Sequence, residues 1–247
     1  MPRYRLILEY DGTDYVGWQR QDNGPSVQQA LEEAIHSFCG ESVTLTAAGR
    51  TDSGVHALGQ VAHVDLAKDW PEETVRNAIN QHLRPQPIAV LDAALVADDF
   101  GARFDATERL YRYRIIARRA PLALEQNRAW HLSRDLDAEA MHDAAQVLVG
   151  HHDFSTFRDA RCQARSPVRT LDELSVSRDG DLVVVTARAR SFLHRQVRSM
   201  VGSLGHVGEG KWRADDLKAS LDACDRKACG VIAPACGLYL AAVRYPL

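Results

Sequence analysis

The sequence predicts an α+β protein of two similar halves, each a mainly antiparallel sheet flanked by helices. Two observations support this fold class. Alternating strand-like segments and amphipathic helix-like segments follow each other in mixed order, with hairpin-length links beside helical crossovers. The order of elements in the first half also recurs loosely in the second. A chain of 247 residues is long enough for two such halves, which we place at 1–105 and 106–247.

The first half contains the clearest helix signals of the chain. In the stretch PSVQQALEEAIHSFCG, Ser26 stands three residues before Gln29, as in a capping box, and Gly40 closes the helix. An apolar stripe at helical spacing joins these two ends. The same kinds of pattern predict strands over 4–12, 42–48, 60–66 and near 88–96, and helices over 25–40 and near 71–83.

The second half begins with an alternating stretch, RLYRYRIIAR, in which Tyr111 and Tyr113 share one face and Arg112 lies on the other. A later stretch, FLHRQVRSMVGSL, has apolar residues at helical spacing. The predicted elements are strands over 109–118, 171–177, 181–189 and 237–245, and helices near 137–149, 192–204 and 213–223. The basic stretch 154–169 is expected to be the least structured region.

Composition points to an ordinary soluble globular protein, with 45% hydrophobic and 26% charged residues. No apolar run approaches the roughly 20 residues of a membrane helix, and the first residues lack the layout of a signal peptide. We therefore expect a cytoplasmic protein with no membrane partner. The five cysteines are odd in number and lack Cys-x-x-Cys spacing, so we expect reduced thiols.

The distribution of charge is more informative than the net charge of −3, which argues mildly against a nucleic-acid partner. Arginine supplies 26 of the 30 basic residues, which suits phosphate contact but is equally explained by a GC-rich genome. Residues 103–134 hold eight arginines against three acids, and 158–198 hold nine against five, whereas 69–99 are acidic. This segregation predicts a basic face compatible with RNA, without proving one.

The stretch AAGRTDSGVHALGQVAH places a single acid, Asp52, in a glycine-containing turn between two apolar runs. Asp-Ser-Gly is good turn chemistry, so one interpretation is a solvated structural turn. The other is a nucleophilic carboxylate that a nearby arginine keeps ionised. Arg50, two residues earlier, could face the same cleft on an extended backbone. Spacing alone favours the structural turn and leaves both interpretations open.

Two other stretches resemble ligand sites but fail on detail. GHVGEGKW, residues 205–212, begins like a phosphate-binding loop, but Trp212 stands where a hydroxyl must reach Mg²⁺, so a helix end is predicted. In HHDF, residues 151–154, adjacent histidines point apart and no second ligand pair stands at metal spacing. The sequence therefore gives no support for a nucleotide cofactor or a metal.

The stretch AGRTDSGVHALGQVAH closely resembles the motif that carries the catalytic aspartate of the tRNA pseudouridine synthase A family. Four further blocks resemble this family's other motifs, in the right order. They are FGARFDATERLYRYRI, GHHDFSTFRDARCQARSPVR, ARSFLHRQVRSMVGSLGHVG and APACGLYLAAVRYP. The resemblance covers nearly the whole chain, and residues 119–130 are the least family-like part.

This resemblance implies an enzyme that isomerises uridine to pseudouridine at positions 38, 39 and 40, in the anticodon stem-loop of tRNA, without cofactor or metal. It implies a pseudouridine synthase fold with the active-site cleft between the halves, and a homodimer. By the same resemblance, Asp52 is the nucleophile, Arg198 forms an ion pair with it, and Tyr111 binds the displaced base. Arg50 is a hypothesis: it fills the gap left by that base or binds phosphate.

Other interpretations stay open. A non-catalytic RNA-binding module would use the same arginine-rich faces, and a hydrolase would use Asp52 as nucleophile on a phosphate ester, with a magnesium site near it. Without the motifs, Tyr111 would be read as a core tyrosine of an alternating strand. Arg198 would be read as an exposed helical arginine of little energetic weight.

Overall fold

The computed structural model describes residues 1–246. Contacts divide the chain into two units, one formed by residues 1–107 with the chain from Tyr239 onward, the other by residues 108–238. Each unit has a mostly antiparallel sheet with helices packed on it, which confirms the predicted α+β class.

In chain order, the first unit contains β1 (Arg3–Tyr10), α1 (Val27–Cys39), β2 (Thr46–Ala47), β3 (His56–Asp65), α2 (Glu72–Leu83) and β4 (Ile88–Val96). The last strand of the chain, β10 (Leu238–Arg244), also contributes to it from Tyr239 on. Strands follow the order β4-β1-β3-β10, with β2 paired to β3. All these pairs are antiparallel except β3 with β10.

The placement of β10 differs from the division at residues 105 and 106, which assigns the closing strand to the second half. Tyr239 lies opposite His56 and Leu240 opposite Ala57 in the parallel pairing of β10 with β3. The side chains of His56 and Tyr239 also stack here, with their ring centroids 4.7 Å apart. These long-range contacts join the end of the chain to the first unit.

Strand β1 shows how alternation in the sequence becomes one buried face, because Tyr4, Leu6, Leu8 and Tyr10 are buried at every second position. Helix α1 forms as predicted. Ser26 Oγ accepts a hydrogen bond from the backbone N–H of Gln29 at 3.2 Å, which satisfies one of the free donors at the helix start. The other helices and strands predicted for this unit also form, with β3 beginning earlier than expected and the strand predicted over 42–48 reduced to Thr46–Ala47.

In chain order, the second unit contains β5 (Glu108–Ala117), β6 (Trp130–Leu132), α3 (Ala138–Ala145), β7 (Gly150–Asp153), β8 (Val168–Asp179), β9 (Leu182–Ala189), α4 (Gln196–Gly208) and α5 (Ala214–Asp222). Its strands follow the order β5-β9-β8-β7, with β6 parallel to β5. The sequence does not predict β6 and β7, since three or four residues are too few to show alternation. It does predict β5, β8, β9 and all three helices.

Strand β7 is formed by the stretch that contains the adjacent histidines, and both make local hydrogen-bonding contacts. His151 Nδ1 lies 3.0 Å from Thr170 Oγ1, and His152 Nε2 lies 3.0 Å from the carbonyl oxygen of Val149. Within residues 1–246, no group of three or more His, Cys, Asp or Glu side chains is arranged to hold a metal ion. None of the helices in this range has the length and apolar character needed to cross a membrane.

Helix α4 begins four residues later than predicted and ends four residues later. Arg195, immediately before it, has a φ of +60°, which a helix cannot include. At the other end, Gly208 is the last helical residue and Gly210 has a φ of +70°. The glycine-rich stretch 205–212 is therefore a helix end, as predicted.

Candidate active site

Asp52 lies between β2 and β3, in a loop that the predicted turn residues form. The backbone N–H of Val55 donates to the carbonyl oxygen of Asp52 at 3.1 Å, which closes the turn. Gly54 provides the left-handed residue, with a φ of +75°. The Asp52 side chain is half-buried, so it is held within the fold while part of it remains accessible.

A second segment, residues 15–18, supports this loop from outside the turn. Gly17 pairs with Asp52 in an isolated antiparallel bridge, and the N–H of Trp18 donates to the carbonyl oxygen of Thr51 at 3.1 Å. Gly17 has a φ of +115°, and a Cβ there would lie 2.6 Å from the Thr51 carbonyl oxygen. Only glycine allows so close an approach of the two backbones, so the position of Asp52 depends on Gly17.

Arg50 is exposed. Among residues 1–246 it forms neither a hydrogen bond nor an ion pair. An exposed guanidinium with no internal partner is available to an anionic ligand such as phosphate.

Tyr111 lies in the second unit, on β5, opposite Ala187 of β9. It is half-buried, whereas Tyr113, two residues further along the same face, is fully buried. The ring of Phe192 meets the Tyr111 ring edge-on, with centroids 5.2 Å apart and planes at 90°. This contact holds the Tyr111 ring at the border of the core, where one part of it stays accessible.

Arg198 lies in α4 and is held by two hydrogen bonds to Ala233, in a neighbouring loop. Its Nε donates to the carbonyl oxygen of Ala233 at 2.8 Å, and the N–H of Ala233 donates back to the carbonyl oxygen of Arg198 at 3.1 Å. Gly202, one turn later, makes this packing possible, because a Cβ there would lie 1.7 Å from the Val231 carbonyl oxygen. The half-buried guanidinium is thus positioned by backbone contacts rather than left to move in solvent.

The positive charge of Arg198 affects the pKa values of two neighbouring groups, Tyr113 and Cys236. Burial raises the pKa of the Tyr113 hydroxyl, as does the nearby Cys236, and the positive charge of Arg198 opposes them. Burial likewise raises the pKa of the Cys236 thiol, again against the effect of Arg198. Arg198 therefore lies beside uncharged groups in a partly desolvated environment, where its charge interacts more strongly than in water.

Comparison with known proteins identifies the family. A family model described as tRNA pseudouridine synthase matches residues 6–105 and 144–246. A protein of Maricaulis maris named tRNA pseudouridine synthase A is 64% identical over 246 residues, which are 100% of this chain and 99% of that protein. Proteins of the same name from Xanthobacter autotrophicus and Sinorhizobium fredii are 63% and 61% identical, each over 99% of this chain and 100% of their own length.

The chain belongs to the tRNA pseudouridine synthase family. The resemblance noted from the sequence motifs is thereby confirmed, and with it the assignment as an enzyme of the isomerase class. Asp52, Arg50 and Arg198 lie inside the two stretches that the family model matches, whereas Tyr111 lies between them. Asp52 and Arg50 belong to the first unit, and Tyr111 and Arg198 belong to the second.

A buried carboxylate that the sequence motifs do not indicate, Asp159, lies near the start of α4. Asp159 accepts a hydrogen bond from Arg195 Nη1 at 2.9 Å and another from the N–H of Arg161 at 2.9 Å. Its own N–H donates to the carbonyl oxygen of His194 at 3.1 Å. The signal available in sequence is a single acid among the arginines of FRDARCQAR, and nothing there shows which arginine it meets.

Asp159 connects the basic stretch 154–169 to the turn that leads into α4. Within that stretch, one guanidinium nitrogen of Arg158 donates to the carbonyl oxygens of Cys162 at 2.8 Å and Ala164 at 2.7 Å. The stretch expected to be the least structured is therefore tied down by its own arginine and aspartate side chains.

Proposed function

We propose that this protein isomerises uridine to pseudouridine in tRNA, at positions 38, 39 and 40 of the anticodon stem-loop. The observation that carries the proposal is the full-length similarity to proteins named tRNA pseudouridine synthase A, at 61–64% identity. It is supported by the position of Asp52, which is accessible yet fixed by the turn and by residues 15–18. The assignment of the anticodon stem-loop as the site of modification rests on the family resemblance alone.

The proposed reaction moves one base on one ribose. The N-glycosidic bond breaks, the uracil turns, and its C5 bonds to the same ribose carbon, while the proton on C5 is released and N1 takes one up. Atoms and electrons balance without a co-substrate, so no cofactor is proposed. Asp52 acts in this scheme as the nucleophile, because a carboxylate can add to the nucleotide and leave again once the base has turned.

Tyr111 and Arg198 take roles that follow from the resemblance. The target base must leave its stack, at a cost of a few kcal/mol. An accessible aromatic ring such as Tyr111 offsets about 1–3 kcal/mol by stacking on the displaced base. Arg198 is proposed to pair with the Asp52 carboxylate and keep it ionised. Its fixed, partly desolvated guanidinium suits that role.

Exposed arginines, Arg50 among them, are proposed to contact the phosphates of tRNA, which supply most of the affinity in such complexes. We further propose that the enzyme acts as a homodimer in the cytoplasm, where its tRNA substrate is found. The dimer rests on the family resemblance.

The test is to incubate the purified protein with an unmodified tRNA transcript and map pseudouridine by chemical labelling. We expect modification at positions 38–40 by the wild type. Asp52→Ala and Asp52→Asn should lower the rate by at least about 10³-fold, as for other residues that carry covalent chemistry. Their affinity for tRNA should change by less than about threefold, because the phosphate contacts remain.

Asp22→Asn is the matched control, since Asp22 is an exposed aspartate in another loop of the same unit and should leave the rate unchanged. Tight tRNA binding without any pseudouridine in the wild type would favour the RNA-binding module. Release of phosphate that depends on magnesium would favour the hydrolase. Either outcome overturns the proposal.

A further inference from the structure

Three buried polar side chains meet beneath the loop that carries Asp52. They are Tyr10 at the end of β1, Thr51 in the loop, and Gln60 in the middle of β3, with 4%, 7% and 0% of their surfaces exposed. Tyr10 Oη lies 2.8 Å from Thr51 Oγ1. Gln60 Nε2 donates to the carbonyl oxygen of Gly49 at 2.7 Å and, over a longer 3.4 Å, to Tyr10 Oη. We name this group the Tyr10–Thr51–Gln60 network.

The position of Gln60 in the sheet shows that packing alone does not require an amide. The same face of β3 continues with Ala62 and Val64, both buried and apolar. An apolar residue at position 60 would bury its surface without the cost of desolvating an amide. The amide is therefore accounted for by the contacts it makes, chiefly the one with the Gly49 carbonyl.

Those contacts also determine the orientation of the amide. A carbonyl oxygen can only accept, so the nitrogen of Gln60 must face Gly49. The amide oxygen, Oε1, then accepts from the backbone N–H of Val61 at 3.2 Å. Both ends of the Gln60 side chain are hydrogen-bonded, which leaves it one arrangement in the core.

The network fixes the chain on both sides of Arg50, immediately before Asp52. Gly49 is held through its carbonyl oxygen by Gln60, and Thr51 is held through its hydroxyl by Tyr10. The Thr51 carbonyl accepts in addition from the N–H of Trp18. Thr51 is thus held at two points, through its side-chain hydroxyl and through its backbone carbonyl oxygen.

The network carries no charge. Burial raises the pKa of the Tyr10 hydroxyl to about 12, against the smaller opposing effects of its hydrogen bonds to Thr51 and Gln60. Thr51 and Gln60 do not titrate. The contacts that hold the loop therefore stay the same across the pH range in which a cytoplasmic enzyme works.

We propose that Tyr10, Thr51 and Gln60 are positioning residues that hold the backbone before Asp52 in the arrangement its carboxylate needs for reaction. The inference rests on the proposed function. It makes these buried groups part of the catalytic machinery although none of them needs to touch the substrate. Small displacements of a reacting group lower rates steeply, so loss of one contact should act on kcat.

The experiment measures single-turnover pseudouridine formation, with kcat and KM for tRNA, in Tyr10→Phe, Thr51→Val and Thr51→Ser. We expect Tyr10→Phe and Thr51→Val each to lower kcat by about tenfold or more while KM changes by less than about twofold. Thr51→Ser keeps the hydroxyl and should retain kcat within about threefold of the wild type. The double variant Tyr10→Phe with Thr51→Val should lose about as much kcat as Tyr10→Phe alone, because the contact between Tyr10 and Thr51 is already absent in that single variant.

Tyr4→Phe is the matched control. Tyr4 lies on the same strand and the same buried face, and its hydroxyl is also hydrogen-bonded, donating to the Trp70 carbonyl at 2.7 Å and accepting from the Trp70 N–H at 2.8 Å. Within residues 1–246 the Tyr4 hydroxyl bonds only to Asp69 and Trp70 and not to the loop of Asp52, so Tyr4→Phe should lower the melting temperature and leave kcat unchanged.

A kcat for Tyr10→Phe and Thr51→Val equal to that of Tyr4→Phe would overturn the inference, and so would equal losses in Thr51→Val and Thr51→Ser. Including Asp52→Ala separates the two proposals. If Asp52→Ala is inactive while the network variants match the control, only the positioning role fails. If Asp52→Ala retains activity, the proposed nucleophilic role of Asp52 fails as well, and the positioning role that rests on it fails too.

Discussion

The loop that carries Asp52 and the turn that leads into α4 are held in different ways. In the first unit, neutral groups and glycine hold the loop: Gly17 allows close backbone contact, and the Tyr10–Thr51–Gln60 network binds it from the core. In the second unit, charge holds the turn. The carboxylate of Asp159 binds Arg195, whose backbone has a φ of +60° that non-glycine residues seldom adopt.

This difference determines how the stability of each region depends on pH. Burial alone would raise the pKa of Asp159, but the hydrogen bond from the Arg161 N–H and the charges of Arg195 and His194 outweigh it and lower that pKa. The turn before α4 therefore depends on an ionised group, whereas the loop of Asp52 depends on steric fit and neutral hydrogen bonds. The first kind of support is sensitive to acid, and the second is not.

The largest effect is expected where the steric fit is tightest. Gly17→Ala forces a side chain into a φ of +115° and places its Cβ 2.6 Å from the Thr51 carbonyl oxygen. We expect a loss of about 3 kcal/mol in the free energy of unfolding, the upper end for a residue held in a disfavoured backbone region. Urea denaturation measures it, and the rate of pseudouridine formation should fall as well.

Gly40→Ala serves as the comparison, because Gly40 also has a positive φ, +78°, but a Cβ there would meet nothing within 4 Å. Gly40→Ala should lower the free energy of unfolding by about 1 kcal/mol, which is the strain of the left-handed conformation alone. The rate of pseudouridine formation should stay unchanged. Equal losses for Gly17→Ala and Gly40→Ala would show that the close approach to Thr51 does not hold the loop.

A smaller effect, with a distinct pH dependence, is expected for Asp159→Asn. Asparagine keeps an acceptor but loses the charge, so we expect a loss of about 1.5–3 kcal/mol in the free energy of unfolding at pH 7, typical of a hydrogen bond to a charged group. The folded-state pKa of Asp159 lies below its ordinary value. Its contribution is therefore complete above that ordinary value, about 3.9, and is lost as pH falls through the folded-state pKa.

The measurement is urea denaturation of the wild type and Asp159→Asn at pH 7 and again near pH 3. The difference between the two proteins should narrow in acid, because protonation removes from the wild type the charge that the variant lacks already. A difference that stays constant between the two pH values would show that the carboxylate supports the turn through its shape and not through its charge.

The smallest effect on stability is expected for Arg50→Ala. Arg50 is exposed and makes no hydrogen bond or ion pair within residues 1–246, so the free energy of unfolding should change by less than about 0.5 kcal/mol. If Arg50 binds a phosphate, Arg50→Ala should weaken the affinity for tRNA. The plot of log affinity against log salt concentration should then become less steep by about one unit. An unchanged slope would remove Arg50 from the tRNA contacts.

Much of the fold could be predicted from local patterns. The capping of α1 by Ser26 and the turn at Asp52 depend on residues within a few positions of each other, and both form as expected. The first residue of α4 could not be predicted, because the apolar spacing continues back to Leu193 while the backbone turns at Arg195. The short strands β6 and β7 exist only through pairing with β5 and β8, which sequence spacing does not show.

By itself, the sequence determined the fold class, the family and the position of Asp52 in a turn, because each follows from residues close together along the chain or from ordered motifs. Only the tertiary structure decided that Gly17 adjoins Thr51, that Tyr10 and Gln60 support the same loop, and that Asp159 binds Arg195. Apart from the contact of Gln60 with Gly49, these contacts join residues 34 to 50 positions apart, and a backbone path of that length can place its ends together in many ways. Packing of the whole chain selects one of them, because buried polar groups must find partners wherever the fold brings them.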